Sequence, residues 1–296
     1  MSPGILREQE AIFLEEVQAS TGLAGVSLSL PEVQALLYRG VAAGEHRFSD
    51  YLMVAGYGDA ARYVRSQSSV PARRPQPFVR MDELVLLHER ATTGDPAARP
   101  GEWRRTTTSP FPSGMVPPPA WEVPRAIAAF AERFAWGPPP DVPPVRWVVD
   151  VHERFERIHP FASGNGRTGR LLANLLLQRL RLPAFFVAPR AGRTYLDALA
   201  RADSGNPWPL ACVVARSVAE NVARLKAASE GASALRPLRE LALAADLPSL
   251  YKAAQRGRLR SVARGGRLCV REEWLVEYRT QRSRAGRPRA LRGGAS

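Results

Sequence analysis

The residues most able to do chemistry lie in one run: His159-Pro160-Phe161-Ala162-Ser163-Gly164-Asn165-Gly166-Arg167-Thr168-Gly169-Arg170. A histidine stands just before a glycine-broken turn, and a helix opens on small, amide-bearing and cationic residues. Glycines let successive backbone N–H groups point outward, and the positive end of the helix adds to them, so the turn is a ready anion cradle. Asn165 can supply a side-chain donor. Arg167 and Arg170 are three apart and share a helix face, where their forked guanidinium groups suit phosphate oxygens. His159 can reach a hydroxyl poised to attack a bound phosphate, and a base so placed contributes roughly 10²–10⁴-fold. This is equipment for phosphoryl or nucleotidyl transfer. Ser163 carries no charge where such chemistry would take a metal ligand.

Two other readings of the run are weaker. Gly164 to Gly169 fits GxGxxG, but the dinucleotide fingerprint follows a strand, whereas the residues before His159 have helical period. The acid expected about 20 residues later is also missing, since Phe185 to Arg193 contains none. The bland reading is a helix start with a surface histidine. Against it stands the convergence of a histidine, glycines, an asparagine and two arginines ahead of a leucine-rich helix.

The elements that must hold this run are helical. Val145, Val148, Val149, His152 and Phe155 recur at helical spacing up to Ile158. Leu171, Leu172, Leu175, Leu176 and Leu180 predict a buried helix that Pro183 ends. Upstream, Ile5 to Val17 reads as an amphipathic helix with Ile5, Leu6, Ile12, Phe13 and Val17 on one side. Ser29 caps a helix with Glu32 three residues on, and 51–64, 81–90 and 121–136 continue in helical style. Residues 91–119, rich in Thr, Pro, Gly and Ser, predict a hairpin or loop. Tyr195 to Ala202 and Pro209 to Leu225 are two more helices.

The charge is uneven. Of a net +14, residues 235–296 carry +10, with 15 Lys or Arg against 5 Asp or Glu. Compositional bias explains why arginine replaces lysine almost everywhere, but not why the charge clusters; an acidic partner, with nucleic acid the expected one, does. Cys212 and Cys269 lack CxxC partners and sit in apolar patterns, which predicts buried thiols and no structural zinc. With neither a signal-peptide pattern nor a membrane span in the sequence, the expectation is a cytoplasmic protein with no membrane partner.

The run from His159 to Arg170 resembles the Fic (Fido) signature HPFx(D/E)GNGRxxR at every position but one. The resemblance covers roughly residues 1–228. Val145 to Ile158 resembles the helix leading into the signature. Gly101-Glu102-Trp103-Arg104 with the following loop resembles the β-hairpin flap that aligns a target side chain, and 193–199 the segment near the adenine pocket. The resemblance implies transfer of AMP from ATP to a Ser, Thr or Tyr hydroxyl of a target protein. His159 would be the base, Gly164, Asn165 and Gly166 would hold the α-phosphate, Arg167 and Arg170 the outer phosphates, and Tyr195 would line the nucleotide pocket. Two positions depart from the pattern. Ser163 replaces a carboxylate that binds Mg²⁺ in active members, which puts the metal in doubt. Ser20 to Gly25 resembles the inhibitory SxxxE(G/N) segment with Ala24 in place of its glutamate, so Arg170 is expected to lack a self-inhibiting partner.

The basic segment reads as two short helices, 238–245 and one capped by Ser249, then a hairpin around Gly265-Gly266 and a closing helix that buries Trp274 and Leu275. It resembles an excisionase-like (MerR-type) winged helix-turn-helix. By that resemblance Tyr251, Lys252, Gln255 and Arg256 face the DNA major groove, and Arg264 and Arg267 sit in the wing. The expectation is therefore a mainly α fold: a Fic-type helical bundle with a β-hairpin flap, plus a small winged helix-turn-helix domain. Its parts are a helical region at 1–100, a Fic core at 101–228 (flap 101–119), a linker at 229–236, the winged domain at 237–280 and a disordered basic tail at 281–296. The leading function is nucleotide-dependent modification of a protein hydroxyl, possible with or without Mg²⁺ and coupled to DNA binding. The alternative is a DNA-binding regulator whose impaired Fic domain senses a nucleotide.

Overall fold

A computed structural model describes residues 3–67, 77–108, 115–229 and 235–285. The chain divides into two compact units, 6–222 and 223–296 together with 1–5.

The larger unit is helical: α1 (Pro3–Gly22), α2 (Leu30–Arg39), α3 (Phe48–Ser66), α4 (Met81–Ala91), α5 (Val123–Arg133), α6 (Pro144–Ile158), α7 (Asn165–Arg179), α8 (Gly192–Asp203) and α9 (Trp208–Ser229), whose end passes into the smaller unit. α7 is its axis. Every residue from 165 to 177 except Gly166 is buried. Leu172, Leu176 and Leu177 pack into a core with Val148, Phe155, Phe185 and Val214. Leu171 and Leu175 pack into a second core with Val17, Val54, Tyr57 and Leu87. A helix buried nearly all round, with leucines in both cores, is walled in on both sides, and that fixes its N-terminus.

α1 departs from the expected stripe. Leu6 is exposed, whereas Glu8, Glu15 and Glu16 are buried. Glu16 can be buried because Asn174 Nδ2 donates to its Oε1 at 2.8 Å and Tyr57 Oη at 3.3 Å. At α2 the Glu32 carboxylate accepts both the N–H and the hydroxyl of Ser29, each at 2.7 Å. The expected flap hairpin is not formed by the described residues of 101–119. Trp103 makes a single antiparallel bridge to Phe161, and residues 109–114 lie outside the description. Pro117, Pro118 and Pro119 have no N–H to give a ladder. Cys212 is exposed, not buried. α9 packs through Leu210, Val214 and Val218, and a residue two positions from 210 points the other way.

In the smaller unit β1 (Arg236–Pro237), β2 (Val262–Arg264) and β3 (Arg267–Val270) form an antiparallel sheet of order β1-β3-β2, with Arg264 opposite Arg267. Gly265 and Gly266 both have positive φ, 53° and 73°, as a two-residue hairpin requires. α10 (Leu238–Leu241), α11 (Leu247–Gln255) and α12 (Glu272–Ala285) bury Leu238, Leu250, Trp274 and Leu275 against it. Four boundaries differ from expectation. Arg236 is in a strand rather than the linker, of which 230–234 lie outside the description. α10 stops at Leu241. Pro248 lies in the first turn of α11, where it needs no N–H partner, so Ser249 is inside that helix. α12 runs through Ala285 into the expected tail, of which 286–296 lie outside the description. No helix among the described residues is long and apolar enough to cross a membrane.

Candidate functional site

The turn between α6 and α7 is shaped by backbone and clamped from three sides. His159 ends α6 in the left-handed region, φ 49°, with its N–H on Phe155 O at 3.0 Å. Gly164 opens α7 at φ 81°, and a Cβ there would lie 2.3 Å from Thr92 Cγ2, so glycine is required twice over. Arg104 is buried beneath the turn, its Nε donating to His159 O at 2.7 Å and its NH1 to Thr106 O at 3.0 Å. His88 stacks on Phe161, with ring centroids 3.6 Å apart. Its Nδ1 accepts the Gly101 N–H at 3.0 Å, so Nε2 carries the proton and donates to Ser163 O at 3.0 Å. Burial holds His88 neutral, its pKa pushed down to about 4.

Asn165 has a structural job besides the one expected. Its Oδ1 accepts the Phe161 N–H at 2.9 Å and its Nδ2 donates to Phe161 O at 2.8 Å. The side chain thereby closes the turn, with one of its two N–H donors engaged in doing so. No side chain caps α7. Its first-turn N–H groups, which have no partner within the helix, are what remains for a ligand.

A cavity of about 560 Å³ opens on this helix entrance. His159, Ser163, Gly164, Gly166, Arg167, Arg170 and Tyr195 all line it, together with Leu23, Ala24, Met53, Leu196 and Leu199. The lining is thus part polar and part apolar, which suits an amphipathic ligand such as a nucleotide. His159 is not a surface residue: its side chain is 16% exposed. Nδ1–H donates to Glu156 O at 3.2 Å, which places the basic lone pair on Nε2. Burial first, and the nearby Arg104 cation, push its pKa down to about 4, so it is neutral at pH 7 and able to accept a proton.

The two motif arginines are pulled to opposite walls. Arg170 donates from Nε to Ser20 Oγ at 2.8 Å and from NH2 to Ser20 O at 3.1 Å. Ala24 brings no carboxylate to Arg170, and the α1 segment meets that arginine through Ser20 instead. Arg167 donates from NH1 to Ala91 O at 2.9 Å and from NH2 to Asp95 Oδ2. Tyr195 turns its hydroxyl to His152 Nε2 at 2.7 Å, while His152 Nδ1 meets Gly169 O at 3.1 Å.

Two carboxyl residues of this cavity were missed in the sequence. Glu156 is 3% exposed, its Oε2 is 3.8 Å from His159 Nδ1, and its Oε1 has no hydrogen-bond partner. Its spacing could have revealed it, since it is four residues after His152 and three before His159 on the buried face of α6. Burial pushes its pKa up to about 7 against the pull of Arg170. Asp95, in the loop after α4, accepts the Ser163 hydroxyl at 2.8 Å. Nothing in the local sequence marks it. Among the described residues no three His, Cys, Asp or Glu cluster as a ready metal site. One carboxylate and one hydroxyl beside a phosphate cradle do fit Mg²⁺, which usually takes one or two carboxylates with phosphate oxygens and water.

Residues 78–177 match the Fic/DOC family. The match spans α4 to most of α7, with the whole of the turn and the residues that clamp it. Over 215 residues, 73% of this chain, the protein is 25% identical to a protein adenylyltransferase Fic of Culex quinquefasciatus. It is 26% identical over 208 residues to the one of Nematostella vectensis. The chain spans less than half the length of these curated relatives, 42% and 47%. The fold is that of a Fic-domain signaling protein from Bacteroides thetaiotaomicron (TM-score 0.65, 22% identity, 77% of this chain and 92% of that one). It is likewise that of Fic-1 from C. elegans (TM-score 0.68, 22% identity, 79% and 68%). The helical scaffold is thus similar to that of Fic-domain proteins, and within it this chain places Ser163, Ala24 and Asp95 at the cavity. The residues expected to face DNA lie in the other unit. Tyr251, Lys252, Gln255, Arg256 and Arg267 are exposed and Arg264 is half-buried.

Proposed function

We propose that this protein transfers AMP, or a related phosphate-containing group, from a nucleotide to a protein hydroxyl. One observation carries the reading: His159, the α7 entrance and both motif arginines line one cavity. The curated relatives are named protein adenylyltransferases, which supports the same reaction. The first-turn N–H groups of α7 take the α-phosphate, and Arg170 and Arg167 serve the outer phosphates. His159 Nε2 takes the proton of the incoming Ser, Thr or Tyr hydroxyl. That oxygen bonds to the α-phosphorus, the bond to the bridging oxygen breaks, and pyrophosphate leaves. The imidazolium so formed faces the Glu156 carboxyl at 3.8 Å, which stabilises it when ionised. A divalent cation beside the phosphates would neutralise part of their charge, with Asp95 and Ser163 as its protein-side oxygens.

Labelled ATP incubated with the protein, Mg²⁺ or Mn²⁺ and a cell lysate tests this, beside His159→Ala and Ser163→Asp. The wild type is expected to label a protein and His159→Ala not to. Labelling by Ser163→Asp alone would exclude AMP transfer by the wild type.

A second reading has its own observation. The smaller unit joins two helices and a glycine-tipped hairpin to a net charge of +10 over residues 235–296, which supports DNA binding. In it the Fic-type domain senses a nucleotide for a regulator. Duplex DNA affinity should then fall steeply with salt, by a log–log slope of about −0.9 for each phosphate contact; a salt-independent affinity would remove this reading.

A further inference from the structure

A carboxylate stands inside the anion cradle. The Asp95 side chain is 10% exposed and lines the same cavity as His159 and Arg170. Its Oδ2 accepts the Ser163 hydroxyl at 2.8 Å and an Arg167 N–H, and its Oδ1 accepts the Ala97 N–H at 3.0 Å. The loop that presents it is built. Thr92 Oγ1 donates to His88 O at 2.7 Å, and the Asp95 N–H donates to Thr92 O at 2.9 Å. Gly94 sits at φ 78° where a Cβ would meet Leu52 Cβ at 2.4 Å. Three donors converge on it, and the Arg167 guanidinium is its counter-charge.

This creates a conflict for a phosphate ligand. The Arg167 guanidinium is 5% exposed and its NH2 is already committed to Asp95. A bare polyphosphate reaching for that arginine meets a negative charge at the same point and must compete with it. A polyphosphate that arrives with its own cation does not. Its phosphate oxygens draw Arg167, and its cation takes the carboxylate that Arg167 releases. A hard divalent cation already chelated by phosphate needs only one or two protein oxygens, and two point at one another here.

We propose that the cavity takes its polyphosphate as the divalent-cation chelate, with Asp95 and the Ser163 hydroxyl completing the cation's shell. Asp95 is thus the residue that makes nucleotide uptake metal-dependent. The inference rests on reading this cavity as a phosphate site.

The test is titration calorimetry of the full chain with ATP, in Mg²⁺ and in EDTA. The wild type is expected to bind about tenfold or more tighter with Mg²⁺, and Asp95→Asn to lose that gain. Moving the charge to the other partner of the same hydrogen bond, in Asp95→Asn/Ser163→Asp, should restore it, which shows that the cavity of the Asp95→Asn protein is still folded. Ser163→Asp alone keeps Asp95 and sets two carboxylates side by side. Its melting temperature should rise with Mg²⁺ in the absence of nucleotide, and that of the wild type should not. Equal ATP affinity with and without metal, a gain retained by Asp95→Asn, or a Ser163→Asp protein indifferent to Mg²⁺ would overturn this inference alone. No ATP binding under either condition would remove the phosphate reading and the inference with it.

Discussion

The two walls of the cavity hold one acidic residue each, and the two are in opposite states. Glu156, under His159, is 3% exposed, has an Oε1 without a partner, and titrates near 7. Asp95, across the cradle, has three donors and stays ionised. Glu156 is the more deeply buried and Asp95 has the more donors, and both differences push the two groups apart in the same sense. The Glu156 wall is a place where charge is scarce and a proton can be exchanged. The Asp95 wall is a place where charge is fixed and must be matched by a cation.

The largest effect that sharpens this contrast is chemical. His159→Ala should lower target labelling by about 10²–10⁴-fold while leaving the ATP dissociation constant near the wild-type value. A parallel loss of ATP affinity would mean that the Glu156 wall binds rather than reacts. The next effect is on stability. Asp95→Asn leaves Arg167 with a weaker, neutral partner and should cost about 3 kcal/mol in urea unfolding. A cost near zero would show that the ion pair is not structural.

The pH dependence should then run in opposite directions for the two walls. The folded pKa of Glu156 is raised, from 4.5 to about 7. The native state therefore holds a proton there that the unfolded chain has released. Stability from this group is full below about 4.5 and is lost as pH rises through 7. His159 works against this over part of the window: its pKa is lowered from 6.5 to about 4, so the unfolded chain takes up a proton there that the native imidazole does not, and only the comparison with a Glu156 variant isolates the carboxyl. Glu156→Gln should raise the melting temperature by several degrees at pH 8 and change little at pH 4.5. Asp95 has a depressed pKa, so its contribution is present above the usual aspartate range and lost as pH falls below it. Asp95→Asn should therefore destabilise at pH 7 and be nearly neutral at pH 3.

The smallest effect tests how tightly the Glu156 wall is packed. A Cβ on Gly169 would lie 2.4 Å from Glu156 Oε1. Gly169→Ala should cost about 1–3 kcal/mol, and the cost should shrink in a Glu156→Ala background. Equal costs in both backgrounds would show that Glu156 does not occupy that space.

What the sequence disclosed follows the same physics. The His159–Arg170 turn was legible because its parts are contiguous and glycine fixes their backbone. α7 was legible because leucines recur on all sides of it. The Gly265-Gly266 hairpin was legible because two successive positive φ angles demand that pair. Asp95 was hidden because it lies 68 residues from Ser163 in the chain, and only folding makes them neighbours. The structural role of Asn165 was hidden because local sequence does not show that its side chain bonds the Phe161 backbone. Cys212 and Leu6 were misassigned because apolar character in a helix says nothing about which face is covered.

The most direct test of the central claim follows the backbone amide resonances of Gly164, Asn165 and Gly166 as ATP and Mg²⁺ are added to the full chain. The account expects these three to move furthest and to saturate together, with His159 close behind. Saturable shifts confined to other residues, or none at all, would contradict it.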